Sequence, residues 1–221
     1  MPLAPWVATL AALTFGPPAA APPVPAAAPA TAPALTAVAA REGLRPAVLR
    51  LALAAYDRAV QHGAARGILT VIDYSLASRE RRLWVLDLAG ARVLAHELVA
   101  HGRHTGDDLA SRFSNTPGSL QSSLGTFVTG GTYQGKHGLS LRLRGLDAGL
   151  NDQAEARGIV VHGAEYVNDA IVGALGRLGR SQGCPALSPS AARRVIGLIQ
   201  HGTVLFAYYP TPTLERALTA P

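Results

Sequence analysis

Residues 139–145 read Leu-Ser-Leu-Arg-Leu-Arg-Gly, and their strict alternation decides the fold class. A period of two sends Leu139, Leu141 and Leu143 to one face of a strand and Ser140, Arg142 and Arg144 to the other, which predicts a sheet with one wet face. Outward from it, 68–75, 81–89, 91–102, 126–134 and 156–167 are rich in β-branched or aromatic residues and are bounded by Gly, Asn, Asp or Ser, so they too read as strands. TVLFAYYP (203–210) reads as a buried closing strand. Two helices frame the set. In 46–62, Leu49, Leu53, Tyr56 and Val60 recur at helical spacing, with Pro46 in the first turn and Gly63 at the stop; Ser188-Pro189 opens a second helix that runs to Gly202. GALGRLGRSQG (173–183) reads as a glycine-studded loop. The expected fold is mainly β (α+β), with helices at its margins.

Composition narrows the classes of function. Nearly half of the 221 residues are apolar, enough for a real core, and the net charge of +6 is carried almost wholly by arginine, since Lys136 is the only lysine. That balance favours anionic surroundings such as a cell-wall polymer or a membrane face. Aromatics make up only 5% and the basic residues are scattered, so a nucleic-acid partner is not expected. The apolar run from Leu3 to Phe15 is shorter than the roughly 20 residues that cross a bilayer and suits a signal-peptide core, with Ala28-Pro29-Ala30 as the cleavage motif. A disordered Ala/Pro tail is the alternative. Residues 1–34 are therefore expected to be leader and Ala/Pro-rich linker, and 35–221 one domain, with no membrane anchor after leader removal.

An exported chain meets an oxidising compartment, yet Cys184 is its only cysteine. An unpaired thiol in that setting points to an intermolecular disulfide or a reactive group. Cys184 follows the flexible 173–183 segment, and a free thiol needs a base or a positive field to become a nucleophile. His162 ends the apolar run GIVVHG, 22 residues upstream. A small buried cysteine and a satisfied strand-end histidine are the plainer alternative. HELVAH (96–101) misses the zinc-protease spacing by one residue, so His96, His101 and His104 read as surface histidines at a strand end. Asp107 with Asp108, and Asp147 with Asp152, read as loop caps and turns. No metal or other cofactor is indicated.

VVHG (160–163) followed by GRSQGCPAL (179–187) resembles the L,D-transpeptidase catalytic domain, the YkuD-like family, whose pattern is His-Gly at a strand end, a spacer, then Ser-x-Gly-Cys. FSNTPGSLQSSLGTFVTGGTYQGKHGLSLRLRGLD (113–147) is similar to the murein L,D-transpeptidase branch, so the likeness spans most of the folded part. The resemblance implies a β-sandwich-like catalytic domain, export, and action on peptidoglycan stem peptides. It implies Cys184 as nucleophile, His162 as base held by the Gly163 carbonyl, and the N–H groups of Gly183 and Cys184 as oxyanion donors. Ser181 would shape the turn and His137 would line the pocket. Many members read Ser-His-Gly-Cys with arginine or asparagine two residues after the cysteine, where this chain has Gln182 and Ala186; Arg180 and Arg157 are then the candidates for the substrate carboxylate. Sortase-like and papain-like readings fit less well, since no Thr-Leu-x-Thr-Cys is present and only His201 follows Cys184. A catalytically inactive wall-binding module and an L,D-carboxypeptidase remain the alternatives.

Overall fold

The structure, a computed structural model, describes residues 32–219; the Leu3–Phe15 run and the Ala28–Ala30 motif lie outside the described residues. Its elements run α1 (Ala32–Arg41), α2 (Pro46–Gln61), β1 (Ile68–Asp73), β2 (Arg81–Asp87), β3 (Arg92–Leu98), β4 (Gly125–Gly135), β5 (Gly138–Gly145), β6 (Val160–Gly163), α3 (Asp169–Leu175), β7 (Ala186–Leu187), α4 (Pro189–Ile199), β8 (Val204–Tyr208) and α5 (Pro212–Thr219). The strands form one sheet in the order β3-β2-β1-β8-β4-β5-β6-β7. Only the β1–β8 and β6–β7 pairs are parallel. Beyond β3 the chain curls back to the far edge, where Ala100 bridges Ala186 and Gly102 bridges Ser181. The two ends of the sheet therefore meet, and its halves face each other as in a sandwich.

The alternation expected of β5 holds from Leu141 onward, whereas Ser140, expected on the wet face, is buried where β5 pairs with His162 of β6. Leu141 and Leu143 are buried while Arg142 and Arg144 are exposed. β1 and β8 carry apolar residues on both faces, because both faces are covered. Ile72, Leu205 and Ala207 point into an inner core with Leu141, Val161 and α4, whereas Leu69, Val71, Val204 and Phe206 pack against α1, α2 and α5. On α2 the contact face centres on Val48, Ala52, Ala55 and Ala59, whose small side chains let the helix lie close to the sheet.

Several boundaries differ from the sequence reading. β6 occupies only four residues of the expected 156–167 strand, because 147–158 folds into consecutive turns: Asn151 and Ala154 donate to the carbonyls of Asp147 and Asn151. Within 173–183 the first residues belong to α3, which the Asn168 side chain caps by accepting from the Ile171 N–H at 2.8 Å and which Gly176 ends at φ 68°. α4 ends at Ile199 rather than at Gly202. α1 and α5 add two helices, and α1 opens at Ala32, inside the segment read as linker.

Candidate active site

β6 is the frame of the site. Gly163 ends it against the start of α4, where a Cβ would stand 3.1 Å from Pro189 Cα, so glycine permits the close packing. His162 is buried, pairs in register with Ser140 of β5 on one side and Ala186 of β7 on the other, and its Nδ1 donates to the Gly163 carbonyl at 2.8 Å. A carbonyl only accepts, so Nδ1 carries the proton and Nε2 keeps the basic lone pair. Burial, helped by the nearby His137 and Lys136 charges, pushes the His162 pKa below the ordinary histidine value.

The turn Ser181–Cys184 is held on three sides. Its backbone is tied to the chain after β3, with Ser181 N–H donating to His101 O at 2.9 Å and Arg103 N–H donating to Ser181 O at 2.8 Å. Ser181 Oγ donates to the Cys184 carbonyl at 2.6 Å and accepts from the Gly183 N–H at 3.1 Å, so the side chain closes the turn on itself. Gly183 sits at φ 124°, and a Cβ there would lie 2.8 Å from the Gln121 carbonyl. Only glycine fits that left-handed, crowded position. The half-buried Cys184 thiol donates to the Gly158 carbonyl at 3.7 Å. Burial pushes its pKa up, opposed by the N–H groups of Val160 and Cys184 and by the charges of Arg157 and Lys136. Both members of the pair are thus neutral at rest.

Cys184 and His162 open onto one cleft of about 610 Å³. Its walls carry Arg103, Lys136, Arg157, Arg180 and His137, and no Asp or Glu is among the lining residues. His137 stands at the tip of the β4–β5 hairpin, exposed on its outer side and stacked on His162 with ring centroids 4.5 Å apart. The two arginines expected to meet a carboxylate are both engaged. Arg157 donates to Ser114 O, Ser123 Oγ, Ser119 Oγ and Gln121 O, gripping the 114–123 segment beside Gly183. Arg180 pairs with Asp107 at 2.6 Å and donates to Gly106 O at 3.1 Å. Gln182 is exposed, and Ala186 is fully buried inside β7, where a side chain has no route to the cleft.

Three features escaped the sequence reading. Arg103 lines the cleft because the Gly102–Ser181 bridge carries it there, a long-range pairing that no periodicity signals. Tyr166, four residues after His162, lines the same wall and packs on Gly179. His101 is a correction, since it is fully buried rather than a surface histidine: its Nδ1 accepts from the buried Arg82 at 2.9 Å, and its pKa is lowered to about 4 by burial and by the Arg82 charge. After β3 the chain crosses to the β7 edge, and His101 is buried between the Ala100 and Gly102 bridges. His96 stacks on Trp84 on the other side, so HELVAH gathers no metal site.

A buried histidine and a half-buried thiol thus line one cationic cleft of the curled sheet. Residues 40–208 match the family model described as the L,D-transpeptidase catalytic domain, and the chain belongs to that family. Among solved structures, an L,D-transpeptidase from Mycobacterium smegmatis is 17% identical, with a TM-score of 0.41 over 65% of this chain and 59% of that one. L,D-transpeptidase 3 from Mycobacterium tuberculosis, in complex with a faropenem-derived adduct, is 15% identical with a TM-score of 0.40 over 65% and 60%. An L,D-transpeptidase from Stackebrandtia nassauensis is 15% identical with a TM-score of 0.39 over 81% and 78%. The chain thus spans about three fifths of the two mycobacterial chains. No match is found among curated proteins.

Proposed function

We propose that the protein is an exported, cysteine-dependent L,D-transpeptidase acting on peptidoglycan stem tetrapeptides. The observation that carries the reading is the Nδ1–Gly163 bond, which turns the basic nitrogen of His162 away from the backbone in a cleft that also holds Cys184. With substrate bound, the thiol leaves the Gly158 carbonyl and gives its proton to His162 Nε2 while the sulfur attacks the carbonyl carbon between diaminopimelate and D-alanine. The C–N bond then breaks, His162 protonates the departing D-alanine amine, and a thioester remains. An acceptor amine attacks that thioester, loses its proton to His162, and frees the sulfur, which takes the proton back. Water in place of the amine gives carboxypeptidase turnover.

Neutral resting partners suit this order of events, since no ion pair has to be broken before the proton moves. The oxyanion falls to the backbone N–H groups nearest the sulfur, those of Cys184 and Val160, rather than to the expected Gly183 N–H, which Ser181 Oγ already takes at 3.1 Å. Export is inferred from the leader-like N-terminal sequence ahead of the catalytic domain, and the periplasm or cell envelope is the location proposed. Among the described residues no helix is long and apolar enough to cross a membrane. The test is to incubate the purified domain with a disaccharide tetrapeptide. Release of D-alanine with a crosslinked dimer supports the reading, and release without a dimer identifies a carboxypeptidase. An intact substrate, together with a Cys184→Ser chain that still binds wall, identifies a binding module.

A further inference from the structure

Of the four cationic side chains on the cleft, Arg157 and Arg180 are committed to the protein's own carbonyls, hydroxyls and Asp107. Arg103 and Lys136 are different. Both are exposed and both line the cleft, and neither side chain has a hydrogen bond or ion pair among the described residues. They reach it from different segments. Arg103 is fixed beside the thiol turn, because its N–H donates to Ser181 O. Lys136 shares the tip of the β4–β5 hairpin, closed by the Gly135–Gly138 pair, with the His137 that stacks on His162. Arg103 thus approaches from the thiol turn, and Lys136 from the hairpin that carries the His137–His162 stack.

Resting on the function proposed above, we infer that Lys136 and Arg103 are specificity-determining residues that take the two free carboxylates flanking the scissile carbonyl. The chemistry fixes which takes which. His162 must protonate the leaving amine, so the leaving D-residue lies on the His162 side, and its α-carboxylate, two bonds from that amine, falls to Lys136. The acyl half of the donor then extends past the thiol, and the carboxylate at the far end of its diamino-acid side chain falls to Arg103. Arg180 cannot serve in place of Arg103 while Asp107 neutralises it. The absence of acidic lining leaves both cations unopposed, so each contact is a charge-assisted one in a partly desolvated cleft.

The experiment is a set of thermodynamic cycles. Hydrolysis or transfer is measured for a tetrapeptide with free carboxylates, for its C-terminal amide and for its side-chain amide, on the native chain, Lys136→Met and Arg103→Gln. The C-terminal amide should lower kcat/KM about 3- to 10-fold in the native chain and in Arg103→Gln, and should cost Lys136→Met almost nothing. The side-chain amide should show the converse dependence on Arg103. Equal losses for all three peptides in each variant would overturn the assignment. Alkylation of Cys184 by iodoacetate relative to iodoacetamide supplies an independent reading. If the native chain turns over no peptide, the proposed function fails. A fall in the haloacetate ratio in both variants would then keep the two residues as a carboxylate-selecting pair, and an unchanged ratio would remove that role as well.

Discussion

The imidazole of His137 lies on that of His162, with centroids 4.5 Å apart and planes 24° from parallel. Two stacked rings resist carrying charge together, and Lys136 adds a third positive group at the same hairpin tip. Burial is the larger influence on His162, and the neighbours act in the same direction. A base whose pKa is lowered stays neutral, and competent, to lower pH. The acid limb of kcat/KM should accordingly lie below the ordinary histidine value near 6.5, and His137→Phe should move it upward while leaving the fold intact. A limb that stays in place in that variant would separate the stack from the chemistry.

The thiol has the opposite bias. Burial raises Cys184, and Arg157 and Lys136 only partly offset it. Its alkylation midpoint should fall above that of free cysteine near 8.5, and Arg157→Gln should raise it further. The same variant releases four hydrogen bonds to the 114–123 segment, so its Tm should fall too. Absorbance of the thiolate against pH, followed with thermal melting, reads both effects.

Gly183→Ala places a Cβ 2.8 Å from the Gln121 carbonyl at φ 124°. The turn must shift, carrying the Cys184 N–H with it. Activity should drop by about 100-fold or more, with about 1–3 kcal/mol lost in stability. Gln182→Ala, one residue away and exposed on the cleft wall, should leave stability unchanged. Turnover rates and chemical denaturation of the two variants make the comparison.

His101 is neutral and buried against Arg82, with a folded pKa of about 4. An unfolded histidine takes up a proton near pH 6.5, so stability is fully present above that pH. It declines as pH falls toward 4 and levels off below, for a total on the order of 3 kcal/mol at about 1.4 kcal/mol per pKa unit. Denaturant unfolding between pH 7 and 4 should show this slope, and His101→Gln should flatten it.

The legible parts of the fold are those in which burial imposes a period. β5 alternates from Leu141 to Arg144 because one face is wet there, and β8 reads as a continuous apolar run because both faces are covered. α3 was missed since none of its residues is buried, leaving only its caps, Asn168 and Gly176, as signals. Within the site, Cys184 and His162 stand out as chemistry at motif spacing. Whether an arginine is free or already paired depends on contacts such as Arg180 with Asp107, 73 residues apart, and those exist only once the sheet has curled. The same closure hides His101 and exposes Arg103.

The central claim is an acyl bond to one sulfur, formed with the help of one imidazole. Intact-protein mass spectrometry of the mature domain incubated with imipenem tests it most directly, alongside Cys184→Ala and His162→Ala. A stoichiometric adduct on the native chain, absent in Cys184→Ala and formed at least about 100-fold more slowly in His162→Ala, is the expected result. An adduct that persists without the sulfur, or a native chain that gains no mass, would contradict it.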